Sequence, residues 1–385
     1  MPPHSVARIP AARRLRVLGI MSGTSIDSVD YAVCSIDGNA VALEKHWQAP
    51  FPRRLRDRLH RAASDLGTSH ETGQLHHDLG RFYADEAIHG LRRQQLDLVG
   101  LHGQTIYHQP ASPAATFQLG EPAYLAERLR VPVVNNFRAA DLAAGGQGAP
   151  LATLFHQVVF GKTGEHVCVN NLGGISNVTS IDWRERKQPR LAAFDTGPGN
   201  LLIDLAVRHF THGRKTFDRN GAWARRGRVS EKWLARWLDH RFFIQDPPKS
   251  TGREEFGEVF FDEALRQVRR FRLSKFDIVA TLTELTARSL VLNYRLHLKS
   301  APGRVVLAGG GVRNPALVEQ IRVSLRQWQP GIRLQTCDQL GWPVQAVESA
   351  AFAFLAYYRV QNQPANLPST TGASRPVLLG QVAKP

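Results

Sequence analysis

The run LRVLGIMSGTSIDSVDYAVCSI, residues 15–36, sets the reading of the whole chain. Leu15–Ile20 is an apolar stretch of strand length, and Val29–Ile36 is a second. Between them lies Met21-Ser22-Gly23-Thr24-Ser25-Ile26-Asp27-Ser28, a turn built from glycine and hydroxyl residues. The same order returns further on. Strand Val167–Asn170 enters Asn171-Leu172-Gly173-Gly174-Ile175-Ser176-Asn177, and strand Val178–Ile181 leaves it. The two stretches share few residues. The recurrence of strand, glycine-bearing turn and strand predicts two related halves, each opening with a hairpin.

Outward from the hairpins, strands alternate with helices, the pattern of an α/β fold. Leu96–Leu101, Val131–Asn135, Leu191–Phe194 and Val305–Leu307 read as buried strands. Apolar spacing at Leu75, Leu79, Phe82, Ile88 and Leu91 predicts a helix, as do Pro122–Leu129, Leu201–Phe210, Ser230–Phe243, Glu258–Phe271 and Thr281–Leu298. Asn200 is the expected N-cap of one helix, and Asn314 with Pro315 opens another. Val347–Tyr358 is apolar nearly all round and predicts a buried helix. A chain of 385 residues exceeds one ordinary core. The expected division is a basic extension at 1–15, a first α/β domain at 16–150 and a second at 151–385. The Pro-, Gly- and Thr-rich tail from Asn366 is free to return to the first.

Lysine and arginine total 49 against 33 acids, a formal charge of +16 that favours an anionic partner. The arginines are scattered and no nucleic-acid-binding signature occurs, so a small anionic ligand is expected rather than nucleic acid. No apolar run approaches the roughly 20 residues of a membrane span. Cys34, Cys168 and Cys337 are too far apart for a zinc site or a disulfide framework, and the N-terminal stretch lacks a secretory apolar core. Both features predict a cytoplasmic protein. The oligomeric state stays open, a homodimer included.

Three glycine-rich segments follow predicted strands: Met21–Ser28, Asn171–Asn177 and Ala308–Asn314. Exposed backbone N–H groups there suit phosphate oxygens, and the hydroxyls of Ser22, Thr24 and Ser25 add donors. No GxxxxGK[ST] occurs, and no GxGxxG follows a strand, which argues against a Walker loop and a nicotinamide site. Asp195 ends a strand in FDTGPGN, 194–200, placed as a general base or as a turn aspartate. Asp27, after the hydroxyl-rich turn, suits Mg²⁺. Glu348 opens an apolar helix, where a lone carboxylate needs a partner, and is a second candidate for the metal or substrate shell. His102 and Gln104, with Arg138 and Asp141, offer donors and acceptors to a polyhydroxylated ligand. Residues 247–253 read equally as a lid or as a connector.

Taken together, MSGTSIDSVD at 21–30, HGQT at 102–105, NFRAADLAAGGQGAPL at 136–151, NLGGISNVT at 171–179, FDTGPGN at 194–200, PPKSTGREEFG at 247–257, TLTELTA at 281–287, GGGVRN at 309–314 and NLPSTTGA at 366–373 resemble the anhydro-N-acetylmuramic acid kinases. The resemblance implies a two-domain actin-like ATPase fold, a duplicated ribonuclease H-like architecture with an interdomain cleft for ATP and Mg²⁺. It implies hydrolytic opening of the 1,6-anhydro ring with phosphorylation of O6, in the recycling of cell-wall amino sugars. Asp195 matches the family's catalytic aspartate. Ser22, Gly23, Thr24, Ser25, Asn171, Gly173, Gly174, Gly309, Gly310 and Gly311 fall to the nucleotide. Asp27 and Glu348 fall to the metal, and His102, Gln104, Arg138 and Asp141 to the sugar. Two other readings stay open: a kinase for another anhydrosugar of the levoglucosan type, and an actin-like ATP-binding protein without turnover. One departure stands out. The family's first motif usually carries glycine after its aspartate, and here Ser28 stands there, an expected strain if the backbone needs positive φ.

Overall fold

In the computed structural model, which describes residues 14–23, 26–110, 113–184, 188–271 and 273–385, the opening run becomes the middle of a sheet. Strand β1, Leu15–Ser22, is buried on both faces, as its unbroken apolar sequence requires. It pairs antiparallel with β2, Ser28–Asp37, from Leu15↔Ile36 to Ser22↔Val29. Next comes β3, Ala40–Pro50, an edge strand with alternating exposure. The helix Ser69–Leu91 then crosses over; Thr68 and Glu71 close a capping box at its start, and Leu75, Leu79 and Tyr83 are buried. Strand β4, Leu98–Gln109, returns parallel to β1. The hairpin strand β5, Ala115–Leu119, pairs with β4, and β6, Val133–Asn135, lies parallel on its other side. The last strand, Gln381–Ala383, closes that edge.

Two glycines make room for the helix that covers this sheet. Gly19 of β1 and Gly100 of β4 sit opposite each other. A Cβ on Gly19 would fall 1.8 Å from the Ser349 carbonyl oxygen, and one on Gly100 would fall 2.3 Å from that of Phe352. The helix Val344–Val360, apolar nearly all round, therefore lies directly on the strands.

The second sheet repeats the plan. Strands β7, His166–Leu172, β8, Ile175–Asp182, and β9, Arg190–Pro198, form an antiparallel meander. Then β10, Arg304–Ala308, and β11, Arg333–Thr336, add in parallel. The spatial order β9-β8-β7-β10-β11 matches β3-β2-β1-β4-β6 strand for strand. This is the duplicated ribonuclease H-like arrangement, and it bears out the two hairpins expected from sequence. The helix Lys275–His297, opened by a Ser274–Asp277 capping box, runs buried through this half. Asn314 caps the helix Pro315–Trp328 by accepting from the N–H groups of Ala316 and Leu317.

The chain divides into two compact units, residues 1–159 with 345–385, and residues 160–344. The helix Thr153–Phe160 and the tail thus pack largely with the first unit, where Phe155 meets Phe354 with ring centres 6.0 Å apart. Most of the expected extension, residues 1–13, lies outside the described residues. Two local expectations change. Asn200 does not cap with its side chain, which instead donates to the Leu172 carbonyl at 3.3 Å. Ser28 is ordinary strand, and positive φ falls on Ile26, at 57°.

Candidate active site

In the first unit the turn after β1 is braced by β4. The Ser22 hydroxyl, buried, donates to the Gly103 carbonyl and lies 3.2 Å from the Tyr83 hydroxyl. Gln104 donates from Nε2 to the Gly23 carbonyl at 3.1 Å, while its buried Oε1 has no partner among the described residues. A buried acceptor left open in this way has capacity for a ligand donor or a water. Asp27 is exposed on the turn. Thr24 and Ser25, both expected at the phosphates, lie outside the described residues.

Three of the sugar-side residues and one metal candidate fall in one neighbourhood. His102, on β4, donates from Nδ1 to the Gly103 carbonyl at 2.8 Å, which leaves Nε2 free to accept. Arg138 supplies that donor twice, from Nε at 3.2 Å and Nη2 at 3.0 Å, and its Nη1 donates to the Gly148 carbonyl. Burial, and then the guanidinium beside it, hold His102 well below the usual histidine range, so it stays neutral. Burial also lowers Arg138 to about 10, and Glu348 works against that shift. Glu348 thus lies within electrostatic reach of a cation. Asp141 is different. It is fully buried, Oδ2 accepts from the Gly148 N–H at 2.8 Å, and Oδ1 accepts from Asn366 and Thr371 at 2.7 Å each. Its carboxylate joins the GGQGAP loop to the tail and is spent on the protein, where a sugar contact was expected.

In the second unit three backbone turns converge. The Gly173 carbonyl accepts from Asn200 N–H, and the Gly174 carbonyl accepts from Gly199 and Leu201. A Cβ on Gly199 would stand 2.2 Å from the Gly173 oxygen. Gly309, at φ 80°, presses on Asn171 and Leu172, and Gly311 on Leu172 and Asn200. Gly310 alone of that triplet is exposed and faces open space. The arrangement is a cradle of closely packed backbone with one open side, the form that suits phosphate or nucleotide.

Asp195 lies on β9 opposite Asn177, where a bulge interrupts the β8–β9 register. Its N–H donates to the Lys249 carbonyl at 3.1 Å, and its Oδ2 accepts from the Thr251 N–H at 2.8 Å. Burial pushes its carboxyl up to about 7; Glu254 adds to the rise, while the Thr251 N–H and the Lys249 ammonium oppose it. A carboxylate poised there is matched to taking a proton at neutral pH. The sequence singled out Asp195 and left the 247–253 segment undecided. Its grip on Asp195 is the part sequence reasoning missed, and the one available signal was a lysine stiffened by Pro247 and Pro248. Among the described residues no three His, Cys, Asp or Glu side chains gather as a metal cluster.

Comparison with known proteins covers the chain almost end to end. The sequence model of the family described as anhydro-N-acetylmuramic acid kinase matches residues 15–385. The anhydro-N-acetylmuramic acid kinase of Crocosphaera subtropica is 41% identical over 384 residues, spanning 96% of this chain and 98% of its own. That of Synechococcus elongatus is 40% identical over 380 residues, 96% and 99% of the two chains. That of Caldanaerobacter subterraneus subsp. tengcongensis is 36% identical over 386 residues, 95% and 96%.

Proposed function

This chain belongs to the anhydro-N-acetylmuramic acid kinase family, and from that premise we propose how its residues share the reaction. It is an ATP-dependent kinase that opens the 1,6-anhydro ring of anhydro-N-acetylmuramic acid and phosphorylates O6, giving N-acetylmuramic acid 6-phosphate and ADP in cell-wall recycling.

Asp195 is the general base. It takes a proton from water as the water oxygen bonds to the anomeric carbon. The bridge oxygen leaves that carbon with its electron pair and attacks the γ-phosphorus, and ADP departs. Water thus ends on the anomeric hydroxyl, the bridge oxygen becomes the phosphate ester, and the proton on Asp195 passes to solvent. No separate acid is needed at the bridge, because phosphorus accepts its electrons. Placement of the reactants supplies most of the remaining rate. The observation that carries this assignment is a carboxyl at the β9 bulge, held by the Thr251 N–H and raised to about 7.

The other residues hold substrates. Ser22, Gly23, Thr24 and Ser25, with Asn171, Gly173, Gly174, Gly309, Gly310 and Gly311, are assigned to ATP. Gly310 offers the uncovered surface. Gln104 offers its open Oε1 to a donor on the sugar or its water. The neutral His102 and Arg138 form the sugar-side pair, and Asp141 positions the loop beneath Arg138 through Gly148. Asp27, an exposed carboxylate beside the phosphate turn, fits Mg²⁺, which characteristically takes one or two carboxylates with phosphate and water. When bound, Mg²⁺ neutralises phosphate charge. Glu348 fits better as the partner of Arg138. The three cysteines are buried and free, which accords with a reducing cytoplasm. Among the described residues no helix is long and apolar enough to cross a membrane.

The test is turnover in oxygen-18 water with ATP, Mg²⁺ and anhydro-N-acetylmuramic acid. The label is expected on the anomeric hydroxyl and not on the phosphate. Asp195→Asn should bind ATP and turn nothing over; substantial residual phosphorylation in that variant removes Asp195 from its role.

A further inference from the structure

Lys249 retains only 7% of its surface exposure. It sits in Pro247-Pro248-Lys249-Ser250-Thr251, a strap beside β9 that holds Asp195 twice through backbone, by the Lys249 carbonyl and the Thr251 N–H. The strap has its own footing. The ammonium reaches the carbonyls of Phe242 at 3.1 Å and Phe243 at 3.2 Å, and His297 Nε2 at 3.1 Å. Three N–H donors meet three acceptors, so the group has nothing left to give a ligand. The same Nε2 stands 3.2 Å from the Phe243 carbonyl, and it accepts from the lysine in the tautomer that carries its proton on Nδ1, 3.8 Å from an oxygen of Asp246. Phe242 adds its ring face, 4.7 Å from Nζ.

A buried ammonium is an expensive way to fill space. Methionine has similar length and would pack against Phe242 and Phe243 without desolvating a charge. The charge therefore asks for a use, and the carboxylate gripped by the same strap supplies one. We propose that Lys249 is a positioning residue for the base: its ammonium anchors the strap that grips Asp195, and its charge holds that carboxylate in the proton-accepting form. The inference rests on Asp195 being the base.

The electrostatics point the same way. Asp195 feels Glu254 and Lys249; Lys249 feels Asp195, Asp246 and His297. Burial lowers Lys249 to about 8, and Asp195 and Asp246 push it back up. Near neutral pH the lysine is still largely charged and favours an ionised Asp195. Losing that charge leaves burial and Glu254 less opposed, so Asp195 takes its proton at higher pH.

The experiment is the pH profile of kcat/KM for the anhydrosugar in the whole enzyme, with ATP affinity and melting measured alongside. Lys249→Met should move the acid limb up by about one pH unit, so activity falls most at the acid end, with ATP affinity unchanged. His297→Phe keeps the lysine, removes one acceptor and still packs against Phe194; it should move the limb the same way by less. Lys249→Arg keeps the charge and should restore the limb even where its maximal rate is lower. Acid limbs at the wild-type position in both Lys249→Met and His297→Phe would overturn the proposal and leave the lysine as packing. If Lys249→Met does not fold, His297→Phe and Lys249→Arg decide on the same limb. Asp195→Asn run in parallel separates the two claims. Turnover surviving in it removes the base, whereas an inactive Asp195→Asn beside unmoved limbs removes only the role of Lys249.

Discussion

The β1–β2 turn of the first unit and the β7–β8 turn of the second enter sheets of the same strand order, yet different chemistry holds them. The first is braced by side chains as well as backbone: Gln104 and the Ile26 N–H both donate to the Gly23 carbonyl, and Ser22 reaches Gly103 beside Tyr83. The second is braced by backbone, with the Gly173 and Gly174 carbonyls bonded to the N–H groups of residues 199–201. A backbone brace requires glycine wherever two chains touch, and it fixes the turn before any ligand binds. The second turn is thus a rigid shelf beside Asp195, and the first depends in addition on the Gln104 side chain.

The sharpest way to break this contrast is to add one methyl group to the rigid turn. In Gly199→Ala the new Cβ meets the Gly173 carbonyl oxygen at 2.2 Å, and that carbonyl's carbon and the Gly174 carbonyl oxygen at 3.1 Å each, all of them backbone. We expect a loss of about 3 kcal/mol or more, read as a large fall in Tm, together with loss of ATP binding. Gly174→Ala on the same turn meets only Leu201 Cβ, at 4.0 Å, and should melt close to wild type. If the two variants melted alike, backbone bracing would not be what holds this turn.

Asp195 gives the next largest effect, and its sign is set by burial. Its carboxyl is raised to about 7 in the folded protein. The folded state therefore holds the proton more tightly than the unfolded chain does. The group costs the fold nothing below the ordinary carboxylate range, and its cost grows as pH rises from there through 7. Asp195→Asn removes that cost while keeping an oxygen for the Thr251 N–H. It should be more stable than wild type by about 2 kcal/mol in mild alkali, with the gain shrinking toward zero in acid. A gain that does not depend on pH would mean that burial does not raise this carboxyl.

The first turn predicts a smaller effect, on binding more than on stability. Gln104→Leu removes the Nε2 donor to Gly23 and also a buried acceptor that has no partner among the described residues, so the net cost to folding is about 1 kcal/mol or less. What it should change is substrate affinity: KM for ATP or the anhydrosugar rises about tenfold with Tm nearly unmoved. A large drop in Tm with unchanged KM would make Gln104 a core residue instead.

Much of this was legible in the amino-acid order because it depends on neighbours in sequence. Apolar runs beside glycine turns mark β1, β2, β7 and β8, and the Gly-Pro frame marks Asp195. Strand β3 escaped because it is an edge, with polar residues such as Glu44 and His46 breaking any apolar run. The role of Asp141 escaped for another reason. Its partners Asn366 and Thr371 lie 225 and 230 residues away, so a loop pin and a sugar ligand look alike in one dimension. The grip on Asp195 spans 56 residues to Thr251 and is made by backbone, which leaves no side-chain signature.

Ser28 gives the smallest expected effect and tests the first turn most finely. Glycine, the family's usual residue there, looked like a demand for positive φ that serine meets only under strain. The backbone answers otherwise. Ser28 opens β2 opposite Pro50, and the left-handed residue is Ile26. With no strain to relieve, Ser28→Gly only frees the unfolded chain and removes an oxygen that Gln48 approaches at 3.5 Å. It should lower stability by about 0.5–1 kcal/mol, with kcat/KM unchanged. A Tm that rose, or a rate that improved, would show that the turn needs at position 28 a conformation that serine denies it, and the first turn would prove as dependent on glycine as the second.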